Sequence, residues 1–331
     1  MMFIARKPSD SERGAALLSI LMVVAAMSIA ALIAVEAIAR ATRLASITND
    51  RSVAFWYTRS AEAAGSSLVS ELLQLTEGRL ADNTPWVGAP ITFPIDEGVI
   101  VAQLDDASNC FNLNALADRQ DEIWIVENAQ FTKLKLLFEA QGFGAYETDQ
   151  MAESIADWID SDTLSRPNGA EDTYYTALEP AYRSAAGPLE NVRELLAIGP
   201  FTPERYEAVR RLVCVRDSTD QSVLNLNTLT DETAPLLVSL FSEEIQPEVA
   251  RRLVEDRPLG GWQSVEQFLE AEQVSAIEES YRDPASIDVV STYFEINGTV
   301  SLSLLATRFE LLYEVDNLGR GALVWRRYGD E

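Results

Sequence analysis

Arg13-Gly14, then AALLSILMVVAAMSIAALIAV over residues 15–35, then Glu36: this stretch decides the architecture of the chain. Its apolar part is 21 consecutive residues without a charge. An α-helix of that length rises roughly 30 Å, enough to cross the hydrocarbon core of a bilayer. Arg6, Lys7 and Arg13 precede it, so the positive-inside rule keeps the N-terminus in the cytoplasm and sends the remainder outward. A cleaved secretory signal would carry a shorter apolar core ending in a small-x-small site. Here Glu36 follows and helix-compatible sequence continues, so the segment reads as a retained membrane helix.

Working outward, no proline occurs between residues 15 and 78. Ala61, Ala64, Leu68, Leu72 and Leu75 recur at helical spacing and predict a packed face. One helix over residues 15–78, roughly 95 Å long, is expected to have its first third in lipid and its last third on a soluble domain. Residues 91–113 carry β-formers between Pro90, Pro94 and Gly98 and predict short strands. Helical spacing governs residues 129–140, 151–159, 189–196, 205–213 and 247–255. From residue 291 strands return, with Asn297-Gly298 predicting a hairpin turn. The expectation is an α+β fold with a large inserted α-helical domain. Residues 79–114 and 287–331 form the α/β part, and residues 115–286 the insertion.

Composition narrows the chemistry. Of 331 residues 47% are hydrophobic, as in a folded globular chain. Histidine is absent, which removes Ser-His-Asp and Cys-His catalysis and HExxH zinc sites. The net charge of −26 repels polyphosphate and argues against nucleic-acid binding. The two cysteines, Cys110 and Cys214, are too few for a four-ligand zinc site. In an oxidising compartment they are expected to form a disulfide, the alternative being two buried free thiols.

A basic leader ending in Arg13-Gly14 before an apolar helix resembles a type IV pilin-type leader, cut after Gly14 by a prepilin peptidase to leave Ala15 as the first mature residue. Further motifs follow in order: Ala54-Phe55-Trp56-Tyr57, Cys110-Phe111-Asn112-Leu113-Asn114-Ala115-Leu116, Ala156-Asp157-Trp158-Ile159-Asp160-Ser161-Asp162, Asn168-Gly169-Ala170-Glu171-Asp172-Thr173-Tyr174-Tyr175 and Leu224-Asn225-Leu226-Asn227-Thr228. Together they resemble the K-type minor pseudopilins of the type II secretion system over nearly the whole chain. The resemblance implies a pilin-like fold with a long N-terminal transmembrane helix, a small antiparallel sheet and a helical insertion. It also implies an inner-membrane, single-pass protein with a periplasmic C-terminal domain, acting at the tip of the pseudopilus. The implied partners are I- and J-type minor pseudopilins, the major pseudopilin, the prepilin peptidase and the inner-membrane assembly platform. Mature position five, glutamate in ordinary pilins, is Ser19 here. Without that countercharge the subunit is poorly suited to join beneath another, which implies that it initiates assembly. Ala15 replaces the commoner phenylalanine at mature position one, where methylation is the family's habit.

Between residues 157 and 172 sit five carboxylates, Asp157, Asp160, Asp162, Glu171 and Asp172. Such loops supply the oxygens that Ca²⁺ takes. Counted from Asp160, Asp162 and Glu171 stand at positions three and twelve of a calcium loop, although Ser165 replaces the glycine of an EF-hand at position six. The resemblance implies calcium here, with Asp160, Asp162, Glu171 and Asp172 as ligands. Asn225 and Asn227 offer amide oxygens as weaker additions, the alternative being that they cap the following helix. A glycosidase-like reading would use the paired carboxylates with Trp158, Tyr174 and Tyr175 as sugar platforms, but no further substrate-binding signature accompanies them. A second alternative is a membrane-anchored DNA-binding component. It rests on helix-hairpin-helix-like stretches at residues 191–212 and 227–269, with Arg210, Arg211, Arg251 and Arg252 nearby.

Overall fold

A computed structural model describes residues 10–80, 84, 87–241, 244–303, 305–316 and 318–329. Helix α1 (Asp10–Thr76) has 67 residues and is about 100 Å long. It contains Gly14 and Ala15, while residues 1–9 of the expected leader lie outside the described residues. Among the described residues this one helix is long and apolar enough to cross a membrane. Its large apolar side chains from Leu17 to Ile38 are exposed. Burial starts only at Asp50 and Ala54. The helix ends where Glu77 and Gly78 take positive φ and the Gly78 N–H reaches back to the Leu73 carbonyl, a glycine-assisted C-cap.

Strands β1 (Ile91–Ile95) and β2 (Gly98–Asp106) begin a five-stranded antiparallel sheet. It is completed at the other end of the chain by β3 (Tyr293–Leu302), β4 (Ala306–Val315) and β5 (Gly321–Tyr328), in spatial order β1-β2-β3-β4-β5. Leu104, Phe294, Ile296, Val300, Phe309, Leu311 and Tyr313 form a core with Ala54, Val69, Leu72 and Leu73 of α1. The helix face is rotated from the one its spacing predicts: Ala64 and Leu75 are exposed, and Gly65 is buried. The reason is close approach. A Cβ at Gly65 would lie 2.4 Å from the Tyr313 hydroxyl, which donates to the Glu62 carbonyl at 2.6 Å.

Asn297-Gly298, expected to turn, instead lies within β3, with Gly298 opposite both Ala102 and Phe309. A Cβ there would stand 2.2 Å from the Phe309 ring, so this glycine makes room for an aromatic ring across the sheet. The chain reverses after Leu302, whose N–H donates to the Leu305 carbonyl.

Between β2 and β3 the chain builds a second core. Helices α2 (Asn128–Ala140) and α3 (Ala145–Ile159) contribute Leu134, Leu137, Phe138, Met151, Ile155 and Ile159 to it. Shorter helices at Pro203–Val209, Pro235–Leu240 and Pro247–Glu255 add to the same core. This segment is less uniformly helical than its periodicity suggests. Ala117–Gln120 and Ile123–Val126 pair as a hairpin whose Asp121 and Glu122 both take positive φ. The run over 189–196 forms a 3₁₀ turn at Val192–Ala197, and the run over 205–213 stops at Val209 before extending at Val213–Cys214.

Candidate functional site

Two similar asparagine scaffolds brace the second core, and the second of them ties it to the end of β2. Phe111–Asn112 pairs in parallel with Val213–Cys214, and Leu224–Asn225 pairs in parallel with Ile287–Asp288. In each scaffold the first asparagine's Oδ1 accepts the N–H two residues ahead, Asn112 from Asn114 at 3.2 Å and Asn225 from Asn227 at 2.9 Å. The second asparagine exchanges two hydrogen bonds with one distant backbone unit. Asn114 does so with Leu189 at 2.8 and 2.9 Å, and Asn227 with Trp262 at 2.6 and 2.9 Å. The Asn-x-Asn pattern therefore marks a duplicated buried clamp. Its signal was present in the sequence as FNLNAL and LNLNTL.

This geometry corrects the weaker ligand expectation for Asn225 and Asn227. Both asparagines are buried and their amides are committed to protein partners. Asn225 Nδ2 donates to Asp106 at 3.1 Å and to Ser291 at 2.7 Å, joining the ends of β2 and β3. Thr228 and Ser291 hydroxyls donate to the same Asp106 carboxylate at 2.5 and 2.6 Å. Cys110 and Cys214 are joined by a disulfide at the first parallel pair, with Cα atoms 5.6 Å apart.

The acidic loop leaves the C-terminus of α3. Asp157 and Asp160 are both buried and share one nitrogen of Arg166, at 2.6 and 2.7 Å. The Arg166 and Ser165 donors also turn toward Asp157, with the Arg166 N–H at 3.1 Å. Gly169 is required beside it, since a Cβ would fall 2.1 Å from Asp157 Oδ2. Asp160, Asp162 and Glu171 each place a carboxylate oxygen within 4.8 Å of the others. Asp160 Oδ1 and Glu171 Oε1 are buried without a hydrogen-bond partner among the described residues. An unpartnered buried carboxylate oxygen is costly unless something meets it.

Burial pushes the Asp157 and Asp160 carboxyls above their ordinary range, against the opposing pull of Arg166. Burial, helped by the neighbouring carboxylates, raises Glu171 to about 7. These are hard oxygen donors, suited to Ca²⁺ or Mg²⁺ rather than to thiophilic metals.

Asp172 does not join this trio. Its carboxylate accepts from the Ser184 N–H at 2.9 Å, the Ser184 hydroxyl at 3.0 Å and Arg183 at 3.1 Å. The Ser184 N–H chiefly holds it below the usual carboxylate range. Adjacent residues at the start of a helical turn point apart, and spacing alone could not separate Glu171 from Asp172. Of the neighbouring aromatics, Trp158 and Tyr175 are core residues packed edge to face, with ring centroids 5.0 Å apart, whereas Tyr174 is exposed.

Around the helix-hairpin-helix-like turns three backbone donors are engaged within the protein. Gly199 N–H donates to the Tyr175 hydroxyl at 3.3 Å, Gly261 N–H to the Pro258 carbonyl at 2.8 Å, and Trp262 N–H to Asn227. Nearby, Arg210 pairs with Glu207, Arg211 with Glu232 and Arg251 with Asp231, while Arg252 donates to the Glu248 carbonyl. On α1, the Ser19 hydroxyl donates to the Ala15 carbonyl at 3.0 Å, so it is turned back onto its own helix.

Models of the type II secretion system protein K family match residues 109–218 and 224–289, and the break between them falls between the two asparagine scaffolds. Protein K of Pectobacterium carotovorum subsp. carotovorum is 32% identical over 257 residues, 77% of this chain and 78% of its own length. That of Klebsiella pneumoniae is 33% identical over 261 residues, 78% and 79% of the two chains. Among solved structures, a chain of the GspK-GspI-GspJ complex from the enterotoxigenic Escherichia coli type 2 secretion system matches with a TM-score of 0.73 and 28% identity, covering 86% of this chain and 98% of that one. By its matched domains, its relatives and its fold, the chain belongs to the type II secretion system protein K family.

Proposed function

We propose that this chain is the minor pseudopilin that initiates the type II secretion pseudopilus and remains at its tip. Its role is structural, in a complex with I- and J-type partners such as the one the solved relative forms. The prepilin peptidase cuts between Gly14 and Ala15 on the cytoplasmic side, Ala15 is the residue open to N-methylation, and the domain beyond the membrane is periplasmic. The assembly platform then lifts the subunit, and the major pseudopilin adds beneath the tip complex.

The observation that carries this reading is Ser19 within 21 uncharged residues of an exposed apolar helix. An ammonium at the start of a helix buried among apolar neighbours needs a countercharge, and leaving it without one is costly. Ser19 supplies none. The amine of Ala15 can still receive a glutamate from the subunit below. The inserted helical core points the same way, because its bulk is hard to accommodate inside a fibre shaft.

Asp160, Asp162 and Glu171 fit a hard divalent cation, and we assign Ca²⁺ to them. It would supply charge neutralisation to a loop whose buried carboxylate oxygens lack donors.

The test is cross-linking from Ser19 in assembled pseudopili, with co-purification of the periplasmic domain. The expected result is no pilin-like neighbour above Ser19, and capture of two minor pseudopilins. Recovery of this subunit at regular intervals along the shaft would overturn the proposal.

A further inference from the structure

Arg216 is a buried cation that lacks an anionic partner. It is only 7% exposed and forms no ion pair among the described residues. Its Nη2 donates to the Ala107 carbonyl at 2.6 Å and to Cys110 Sγ at 3.5 Å, and its Nε is buried without a hydrogen-bond partner. The guanidinium lies 4.3 Å from the centre of the Tyr293 ring. Burial holds it below the ordinary guanidinium range. Three acidic groups act on it from the sheet, Asp106 at the end of β2, Glu295 on β3 and Glu314 on β4. Each is engaged elsewhere: Asp106 by the Thr228 and Ser291 hydroxyls, Glu295 by the Asn297 side chain and Glu314 by the Tyr293 hydroxyl. A buried charge is costly unless a countercharge meets it.

The sulfur beside Arg216 is a latent countercharge. In the disulfide, Cys110 Sγ is neutral and a weak acceptor. Once that bond opens, the same atom can ionise against the guanidinium. The Ser222 hydroxyl lies 3.6 Å from Cys110 Sγ and 3.8 Å from Cys214 Sγ, so it serves both sulfurs, whereas the Arg216 contact falls on Cys110. Cys110, Cys214 and Arg216 all line a cleft of about 890 Å³ between the sheet and the insertion, which gives a thiolate from outside a route to the bond.

We infer that Arg216 makes Cys110 the thiolate of this pair, so that thiol–disulfide exchange runs through Cys214. An external thiolate attacks Cys214 Sγ and forms a new S–S bond there. The Cys214–Cys110 bond breaks, and its electron pair leaves on Cys110 Sγ, where the guanidinium meets it. Closure is the reverse: the Cys110 thiolate attacks Cys214 Sγ in the mixed disulfide and expels the external thiolate. A neighbouring arginine favours the thiolate, and the sulfur that is the more stable thiolate leaves faster. Nothing comparable is placed on Cys214 among the described contacts.

The first measurement is ultraviolet thiolate absorbance against pH in the folded full-length chain in detergent, with circular dichroism to establish folding. Cys214→Ala isolates Cys110, and Cys110→Ala isolates Cys214. Cys110 is expected to ionise at least about one unit below the free-cysteine value of about 8.5, and Cys214 at or above that value. Arg216→Gln in the Cys214→Ala chain should return Cys110 to about 8.5 or higher, a loss of roughly tenfold in thiolate at neutral pH, whereas Arg216→Lys should keep the lowering. A Cys110 midpoint no lower than that of Cys214 overturns the inference, as does one that folded Arg216→Gln leaves in place. If the Arg216→Gln chain does not fold, the order of the two single-cysteine chains decides, with Cys110 below Cys214 in support and any other order against. The second measurement treats oxidised wild type with glutathione, traps free thiols with N-ethylmaleimide and maps the products. Glutathione on Cys214 with maleimide on Cys110 is the expected pattern, and equal or greater glutathione on Cys110 overturns the inference.

Discussion

Replacing Cys110 and Cys214 together by alanine removes the covalent closure of a long loop. The two residues are 104 apart in sequence, and the enclosed segment includes α2, α3 and the acidic loop. In the chain-entropy account, a cross-link of that span restricts the unfolded ensemble by about 4.7 kcal/mol at 25 °C. That corresponds to more than a thousandfold in the unfolding equilibrium, by roughly 1.4 kcal/mol per factor of ten. For a cooperative unit of roughly 150–250 residues, it lowers the melting temperature by roughly 10–19 °C. The native side should change little. The parallel pairing of Phe111 with Val213 and the Asn114–Leu189 clamp hold the same junction without the sulfurs. The full-length chain in detergent can be followed by tryptophan fluorescence, since Trp124 packs against the second core and Trp158 lies in it. Denaturant titration of wild type, the double variant and reductant-treated wild type should give two coincident destabilised curves. A double variant melting within about 3 °C of wild type would refute the reasoning, as would two alkylatable thiols in the natively purified, unfolded protein.

In chelator, stability should fall as pH rises from about 4.5 to 7. Glu171 binds its proton more tightly folded than unfolded, so the folded state holds an extra proton across that window. Saturating Ca²⁺ should remove the decline, and a melting temperature that climbs with pH in chelator would contradict the sign. Asp162→Ala combined with Glu171→Ala should erase the difference between calcium and chelator melts, and a persisting difference would place the ion elsewhere. Gly65→Ala should loosen α1 from the sheet, because its Cβ meets the Tyr313 hydroxyl at 2.4 Å. Tyr313→Phe should cost less, about 1 kcal/mol for one hydrogen bond, and the reverse order in denaturant titration would show that contact to be unimportant. Asn225→Leu should destabilise by about 1–3 kcal/mol, since it leaves the Asp106 and Asn227 partners short of a bond in a buried setting. A melt equal to wild type would count against the clamp.

Hydropathy and punctuation carried the broad architecture. Twenty-one uncharged residues can satisfy their backbone in a membrane only as a helix, and the absence of proline to residue 78 lets that helix run on to pack against the sheet. The Asp160, Asp162 and Glu171 spacing was legible as well, because a loop returning after eleven residues brings its ends together. These are local properties of chain length, charge and propensity.

What sequence could not separate was decided by contacts between distant segments. Asn297-Gly298 has the chemistry of a turn, yet pairing with β2 and β4 and the Phe309 ring make it strand interior. The period of α1 predicts a face, but only Tyr313, about 250 residues away, determines that Gly65 is its centre. Asn225 and Asn227 resemble ligands in isolation and become clamps because Asp106, Ser291 and Trp262 converge on them. Arg166 is one arginine in a loop until the folded carboxylates surround it. Backbone propensity and hydrophobic pattern act over a few residues, whereas burial of a polar group takes its meaning from partners that only the tertiary fold supplies.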